Sequence, residues 1–169
     1  DQALRLFGRP NTLQLDTAAL RDGALVEDYF HAVLRYEQGG PAPLRVVLHA
    51  TTLAAWPAPR YIVHGARGSY IKRGVDPQED ALRAGTRPGG EGWGVDATDG
   101  ELTIVGEDAR AVTRALPTLN GDYTRYYAPI RDAINGEGPN PVTPDQAVEL
   151  MDLLDLGRQS AAEGRALPT

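Results

Sequence analysis

The stretch that decides the fold is Tyr61-Ile-Val-His-Gly-Ala-Arg-Gly-Ser-Tyr-Ile-Lys-Arg73. Two short runs rich in β-branched and aromatic residues flank the four residues from Gly65 to Gly68. Glycines at this spacing are typical of a tight turn between antiparallel strands, so the stretch predicts a β-hairpin. Strand patterns precede it and helix patterns follow it. We therefore expect the hairpin to lie in the middle of a sheet.

Two alternating runs before the hairpin predict an antiparallel pair of strands. In residues 27–36 and 44–52, side chains alternate with the period of two that a half-buried strand requires. Gly39-Gly40-Pro41 is expected to turn the chain between them. The second face of the pair mixes Val33 and Val47 with His, Arg and Thr, which is too apolar for a wholly solvated surface. Weaker strand patterns occupy residues 12–16, 101–105 and 110–116.

Helix patterns begin and end the chain. Residues 1–8 have the pattern of a helix end, since Gly8 suits a left-handed stop. Capping-box patterns with Pro at the first helical position start at Asp76 and at Thr143, and the second helix should end at Gly164. A third helix between them should be capped by Asp122 and kinked or split at Pro129. Its apolar stripe is expected to be core and consists of Tyr123, Tyr126, Tyr127, Ile130 and Ile134.

The order of these elements predicts the fold class. Strands grouped first and helices grouped last indicate an α+β fold, with an open, antiparallel-rich mixed β-sheet and helices packed on one face. Pro57 and Pro59 cannot donate ladder hydrogen bonds, so they predict an edge, bulge or break next to Trp56. A length of 169 residues with 41% hydrophobic residues suits a single domain over 1–169.

The composition argues against several classes of protein. The net charge is −6 and the 17 Lys and Arg are scattered, so we expect no nucleic-acid partner. The chain has no cysteine, which removes disulfides and thiolate chemistry and fits a cytoplasmic location. No apolar run approaches the roughly 18–20 residues that span a bilayer, so we expect no membrane partner.

Candidate clusters for metal or cofactor binding are weak. Asp76, Glu79 and Asp80 could ligate a hard cation, but helix capping accounts for two of the three. The glycine-rich loop 90–94 lacks the strand before it and the helix after it that a dinucleotide-binding loop requires.

The three histidines are also poor candidates for a shared site. His31, His49 and His64 lie on the more polar faces of three predicted strands, and none has metal-ligand spacing to another. From the residues alone we predict no nucleophile, no acid–base pair, no metal site and no cofactor motif in this chain.

A series of short motifs resembles a known family. In this order and spacing the motifs resemble the carboxy-terminal, GAPDH-C-like domain of the Gfo/Idh/MocA oxidoreductases, and the likeness covers nearly the whole chain. The motifs are Val-His-Gly-Ala-Arg-Gly-Ser-Tyr-Ile-Lys (63–72), Gly-Val-Asp-Pro-Gln-Glu-Asp (74–80), Gly-Trp-Gly (92–94), Gly-Asp-Tyr (121–123), Ile-Arg-Asp-Ala-Ile (130–134), Pro-Val-Thr-Pro (141–144) and Gly-Arg-Ala-Leu-Pro (164–168).

The resemblance implies that the parent protein is an NAD(P)-dependent dehydrogenase. Its amino-terminal Rossmann domain, which would bind NAD or NADP, is absent from this chain. Asp1 matches an aspartate that follows the family's catalytic histidine by three positions, so the catalytic Lys and His are expected upstream of Asp1. The chain alone is then expected to be inactive and to bind no cofactor.

The resemblance also implies candidate contacts. Thr51, Trp56 and Arg60 belong to a stretch that lines the sugar or polyol pocket in relatives, although an ordinary strand break with a packed Trp would also explain them. Tyr123 matches a tyrosine that approaches the nicotinamide end of the pocket in some relatives. Its place in the helical stripe gives it an alternative role in packing.

Two functions remain open at this point. The first is the substrate-binding and dimerisation domain of an oxidoreductase acting on a sugar, polyol or related hydroxy compound. Its partners would be that substrate, its own Rossmann domain and a second copy bound through the sheet face near Val33 and Val47. The alternative is a free-standing, non-catalytic binding or dimerisation module of the same fold.

Overall fold

The structure, a computed structural model, describes residues 1–37 and 43–169. These residues form two compact units, one made of residues 1–55 and 142–169 and the other of residues 56–141. The turn predicted at Gly39-Gly40-Pro41 lies outside the described residues. Within the described ranges, no helix combines the length and apolarity needed to cross a membrane.

The first unit contains an antiparallel sheet with two helices. The elements are α1 (Gln2–Phe7), β1 (Thr12–Ala18), β2 (Tyr29–Tyr36), β3 (Leu44–Thr51), α4 (Pro144–Glu163) and β8 (Leu167–Pro168). The strand order is β3-β2-β1-β8, and α4 packs against β1. The predicted capping box at Thr143 and the left-handed end at Gly164 are confirmed for α4.

The core of this unit lies on the sheet face that α4 covers. The alternation predicted for β2 is confirmed, because Ala32, Leu34 and Tyr36 are buried on that face. In the register, Leu13 of β1 lies opposite Leu34, and Leu13 is buried as well. The cluster gains a further stabilising contact from the Tyr36 hydroxyl, which donates a hydrogen bond to the Gly8 carbonyl at 3.2 Å.

Two small residues of α4 let the helix lie directly on β1. A Cβ atom on Gly157 would stand 3.2 Å from Leu15 Cδ2, so glycine permits the close approach. Ser160 is fully buried, and its hydroxyl accepts the Leu15 N–H at 3.0 Å and donates to the Arg165 carbonyl at 2.7 Å. Since β8 pairs with β1 only at residues 12 and 13, Ser160 satisfies a strand donor that lies beyond that short pairing.

The second unit contains the other antiparallel sheet, whose four strands follow one another in sequence order from residues 61–65 to residues 111–116. The predicted hairpin is confirmed, with Gly65 opposite Gly68 in the register of its two strands. The capping box predicted at Asp76 is wrong, because the second-unit helix begins at Gln78 with Pro77 at its N-cap position and has no side-chain cap. Asp76 accepts the Gln78 N–H at 3.0 Å, and Glu79 pairs with Arg83 at 3.2 Å instead of with the helix start. The elements are β4 (Tyr61–Gly65), β5 (Gly68–Lys72), α2 (Gln78–Arg83), β6 (Gly100–Val105), β7 (Ala111–Leu116) and α3 (Thr124–Ile134).

Several details of the sequence prediction are wrong. Among the described strands β4 forms an edge, so only β5 has the interior position expected of the hairpin. The strands are divided between two sheets instead of one, and every pairing is antiparallel. The α3 stripe is not core, since α3 has no buried residue and Ile134 is 80% exposed. Helical spacing places side chains on one face, but it does not supply a partner for that face. Helix α3 also continues through Pro129, so of the predicted kink or split the split is wrong.

Candidate functional site

The first unit holds a large cavity between its sheet and its helices. The volume is about 890 Å³, which suits a small-molecule pocket. Its floor is the core-side face of β1, β2 and β3, and α4 forms a wall. Most lining side chains are apolar, including Leu15, Ala32, Leu48, Leu153 and Leu154. Leu48 and Leu154 keep 40% and 50% of their surface exposed, so the first unit by itself leaves this face partly open.

Thr51 lines the polar end of this cavity. Its hydroxyl accepts the Leu53 N–H at 3.1 Å, which holds the end of β3 where the chain leaves the sheet. Asp28 lies among the lining residues too, and Thr52 donates its N–H to the Asp28 carbonyl at 3.0 Å. Thr51 and Thr52 both lie among the lining residues, and a threonine hydroxyl can exchange hydrogen bonds with a hydroxylated ligand.

Asp28 is held ionised by neighbouring donors. Its carboxylate accepts the Leu20 N–H at 2.7 Å and both the N–H and the Nε–H of Arg21, at 3.2 and 2.7 Å. The hydrogen bond from the Leu20 N–H has the largest effect in lowering the pKa of Asp28, and the hydrogen bond from the Arg21 side chain lowers this pKa further. The side chain is 2% exposed. Asp28 therefore fastens the loop before β2 and is a poor proton acceptor at neutral pH.

Trp56 and Arg60 belong to the second unit. Trp56 is 81% exposed, so the alternative of a packed Trp finds no support within this unit. The Arg60 guanidinium carbon lies 5.6 Å from the centre of the Tyr61 ring, a cation–π distance, and the Arg60 N–H donates to the Lys72 carbonyl at 2.8 Å. The backbone of Arg60 is thus fixed at the start of β4, with its charge exposed.

Tyr123 lines an open pocket of about 650 Å³ between α2 and α3. Its neighbours there include Glu79, Leu82, Tyr127 and Arg131. Neither Trp56 nor Arg60 is among the lining residues, so the structure does not gather the three candidates of this unit into one pocket.

Gln78 positions Tyr123, and the sequence prediction missed it. This side chain is only 1% exposed. Its Nε2 donates to both oxygens of Asp76 at 3.1 and 3.0 Å, and its Oε1 accepts the Tyr123 N–H at 2.8 Å. Gly121 packs closely against the Asp76 side chain, because a Cβ atom on Gly121 would lie 2.7 Å from Asp76 Oδ2. The available signal was a long amide inside a capping pattern, where a surface residue is usual.

A buried ion pair braces the same unit. Lys72 Nζ lies 2.7 Å from Asp96 Oδ2 and 2.6 Å from the Arg73 carbonyl, and Lys72 is 7% exposed. The bond from Lys72, together with the Thr98 N–H, lowers the pKa of Asp96. Because both charges are partnered, this pair is structural. Within the described residues, no three His, Cys, Asp or Glu are grouped so that they could hold a metal ion.

Comparison with known proteins identifies the family to which this chain belongs. The model of the oxidoreductase family, C-terminal alpha/beta domain (Gfo/Idh/MocA) matches residues 1–169. The chain is 52% identical over 161 residues to the uncharacterized oxidoreductase YdgJ of Escherichia coli, covering 95% of this chain and 45% of that protein. It is 35% identical over 170 residues to the scyllo-inositol 2-dehydrogenase (NADP(+)) IolW of Bacillus subtilis, covering 99% and 46%.

A solved structure agrees with the sequence matches. The oxidoreductase YPO2259 of Yersinia pestis is 50% identical, with a TM-score of 0.91, covering 99% of this chain and 46% of that one. The chain thus spans about half the length of the relatives that it matches. The predicted resemblance and the α+β fold class are confirmed, and the chain belongs to the Gfo/Idh/MocA oxidoreductase family, of which it is the C-terminal alpha/beta domain.

Proposed function

We propose that this chain is the substrate-binding and dimerisation domain of an NAD(P)-dependent oxidoreductase whose substrate is a sugar, a polyol or a related hydroxy compound. The observation that carries the proposal is the family match over residues 1–169, together with a relative whose name states a polyol substrate and NADP(+). Scyllo-inositol is a ring of secondary alcohols, and its oxidation requires a hydride acceptor. The nicotinamide ring supplies that chemistry when it is bound.

The described residues do not fit a dinucleotide. The glycine-rich loop lies between α2 and β6, so it does not connect a strand to a helix as a pyrophosphate loop does. The Gly94 carbonyl accepts the Gly121 N–H at 3.0 Å, and a Cβ on Gly94 would collide with the Gly121 backbone. Gly94 and Gly121 therefore allow two segments of the backbone to pack closely together. The proposal therefore assigns the cofactor, the catalytic Lys and the catalytic His to a Rossmann domain outside this chain.

The candidate contacts of this chain suit a polyol chemically. A ring of hydroxyl groups offers donors and acceptors around its edge and C–H bonds on its faces. Thr51 supplies a hydroxyl, Arg60 supplies guanidinium donors, and the exposed ring of Trp56 can cover a C–H face. In this proposal the three side chains orient the substrate, and Tyr123 contacts the nicotinamide end.

Steady-state kinetics of the full-length protein tests the substrate class. We expect turnover with scyllo-inositol or another polyol and NAD⁺ or NADP⁺, followed by the absorbance of the reduced nicotinamide. Trp56→Ala and Arg60→Ala should lower kcat/KM for the polyol by about ten- to a hundredfold, or roughly 1–3 kcal/mol, and leave the KM of the cofactor unchanged.

Arg110→Ala is the matched control, since Arg110 is an exposed arginine of the same unit that pairs only loosely with Asp108 at 3.6 Å. A protein that turns over no polyol with either cofactor contradicts the substrate class. Variants at Trp56 and Arg60 that behave like Arg110→Ala would assign both residues to structure alone.

The dimerisation part of the proposal rests on the open face of the first sheet. Val33 and Val47 lie directly opposite each other on β2 and β3, on the face that points away from α4, and Val47 is 54% exposed. An apolar pair at the centre of a polar surface is typical of an interface. A stable twofold dimer should bury at least about 1,200 Å² in total.

Sedimentation velocity tests this interface. The full-length protein should be a dimer or a larger oligomer at tens of micromolar concentration, and Val47→Glu should dissociate it by burying a charge. Val148→Glu, at a 58%-exposed valine of α4 in the same unit, should have no such effect. A Val47→Glu variant that associates like the wild type would exclude this face.

A further inference from the structure

Two of the three histidines meet on the open face of the first sheet. His31 of β2 lies directly opposite His49 of β3 in the register, and the centres of their rings are 5.7 Å apart with planes inclined by 56°. His64 lies on β4 of the other unit, where its Nδ1 is 2.8 Å from the Ser69 hydroxyl. The sequence pattern did not show the pairing, because register joins residues that are 18 positions apart.

The separation of the two rings fits a shared metal ion. A Zn–N bond of about 2.0–2.1 Å places the centre of each imidazole about 3.2 Å from the metal. Two rings at a tetrahedral angle around one ion would then stand about 5.2 Å apart. The observed 5.7 Å exceeds this value by about half an ångström, which small side-chain rotations can close.

The hydrogen bonding of His49 leaves its Nε2 available to bind a metal ion. Its Nδ1 lies 2.9 Å from the Phe30 carbonyl oxygen. A carbonyl oxygen only accepts, so Nδ1 carries the hydrogen and the lone pair of the neutral ring lies on Nε2. A metal-binding histidine characteristically donates its other N–H in this way, which fixes its tautomer and orientation. The Tyr29 ring packs edge-on against His49 at 5.3 Å and restricts it further.

The surroundings favour a cation and leave the pair accessible. Asp16 of β1 lies opposite His31 on its other side, so a carboxylate extends the row Asp16-His31-His49 across three strands. Opposite residues on neighbouring strands have Cβ atoms about 4.5–5.5 Å apart. His49 is exposed and His31 is half-buried. In a single copy of the chain, an ion can therefore reach both rings, and water can complete its coordination.

We propose that His31 and His49 form a two-histidine binding site for a divalent transition-metal ion of the Zn²⁺, Ni²⁺ or Cu²⁺ class. Imidazole is a preferred ligand for these ions, whereas Mg²⁺ and Ca²⁺ require oxygen ligands. The site uses two ligands, which agrees with the lack of any three-residue metal cluster in the described ranges. The site does not depend on the proposed enzymatic activity, but it shares the open sheet face with the proposed dimer contact at Val33 and Val47.

Calorimetric titration of the untagged, EDTA-treated full-length protein with Zn²⁺ at neutral pH tests the site. We expect saturable binding, and we expect His31→Ala and His49→Ala each to weaken the Zn²⁺ affinity at least about tenfold. Removal of a residue that only hydrogen-bonds to a metal ligand already costs about this much, so removal of the ligand itself should cost no less. His64→Ala is the matched control and should bind like the wild type. Retention on immobilised Ni²⁺ should follow the same order.

His31→Gln keeps a polar side chain of similar size, so it retains the fold if the alanine variant does not, and circular dichroism checks each variant. Equal Zn²⁺ affinity in the wild type, His31→Gln and His49→Ala would overturn the site. No saturable binding by either the wild type or the Val47→Glu variant, which should lack the dimer contact on the same face, would overturn it as well.

Discussion

Replacing Gln78 with alanine should destabilise the protein by about 2.5–6 kcal/mol. Two losses add up to this value. The bonds from Nε2 to the Asp76 carboxylate are charge-assisted and together contribute about 1.5–3 kcal/mol. The Tyr123 N–H, which Gln78 accepts at 2.8 Å, would be left unpaired at a cost of about 1–3 kcal/mol. Both losses are close to their full value, because Gln78 is 1% exposed and water does not replace it.

Gln78→Glu separates the two contributions. It keeps the shape and the acceptor for the Tyr123 N–H, but it puts a carboxylate about 3 Å from the Asp76 carboxylate. One of the two carboxyl groups must then have a raised pKa in the folded state. The deficit in stability should be largest at neutral pH, should shrink as the pH falls through that raised pKa, and should vanish near the ordinary Glu pKa of about 4.3.

Urea-induced unfolding followed by circular dichroism measures both variants. Gln159→Ala is the matched control, since this glutamine lies on the surface of α4 and donates to Glu163 at 2.7 Å. We expect the control to lie within about 0.5 kcal/mol of the wild type. A Gln78→Ala variant within 1 kcal/mol of the wild type, or a Gln78→Glu deficit that is the same at every pH, would refute this account of the buried amide.

Two further predictions concern the first unit. Ser160→Ala should lower stability by about 1–3 kcal/mol, because it leaves the Leu15 N–H and the Arg165 carbonyl without their partner, and a normal thermal midpoint would contradict this. Asp28→Asn should weaken the protein at neutral pH but not in acid. The lowered pKa of Asp28 gives stability that is present above its unfolded pKa of about 3.9 and is lost as the pH falls through the folded pKa. Thermal midpoints of the two proteins should converge as the pH falls, and Asp22→Asn, at an exposed aspartate, should show a constant difference.

The parts of the fold that the sequence predicts are those set by local geometry. The alternation in β2 gave the buried face correctly, because successive strand side chains point to opposite sides whatever the neighbouring strand is. The capping box at Thr143 and the stop at Gly164 followed from backbone donors and from a left-handed conformation that glycine adopts easily. These signals involve residues within four positions of one another.

The parts that the sequence did not predict depend on distant residues. Pro57 and Pro59 indicated a break before the hairpin, but not that separate sheets lie on either side of it. The α3 stripe has the spacing of a core helix, yet Tyr127 is 64% exposed and Ile134 is 80% exposed. The role of Gln78 was not predicted for the same reason. Its partner Tyr123 is 45 residues away, and only the folded chain brings the amide to that N–H.

The chemistry proposed for the open face of the first sheet is a consequence of the core on its other face. The pairing of Leu13 with Leu34, and the burial of both under α4, fix which residues of β2 point away from the helix. A shift of the register by one residue would exchange the two faces of β2 and place His31 and Val33 beneath α4. The cost of burying an imidazole against Leu13 and Leu153 without a partner excludes that arrangement. The apolar core therefore selects the register, and the register sets His31 opposite His49 and Val33 opposite Val47.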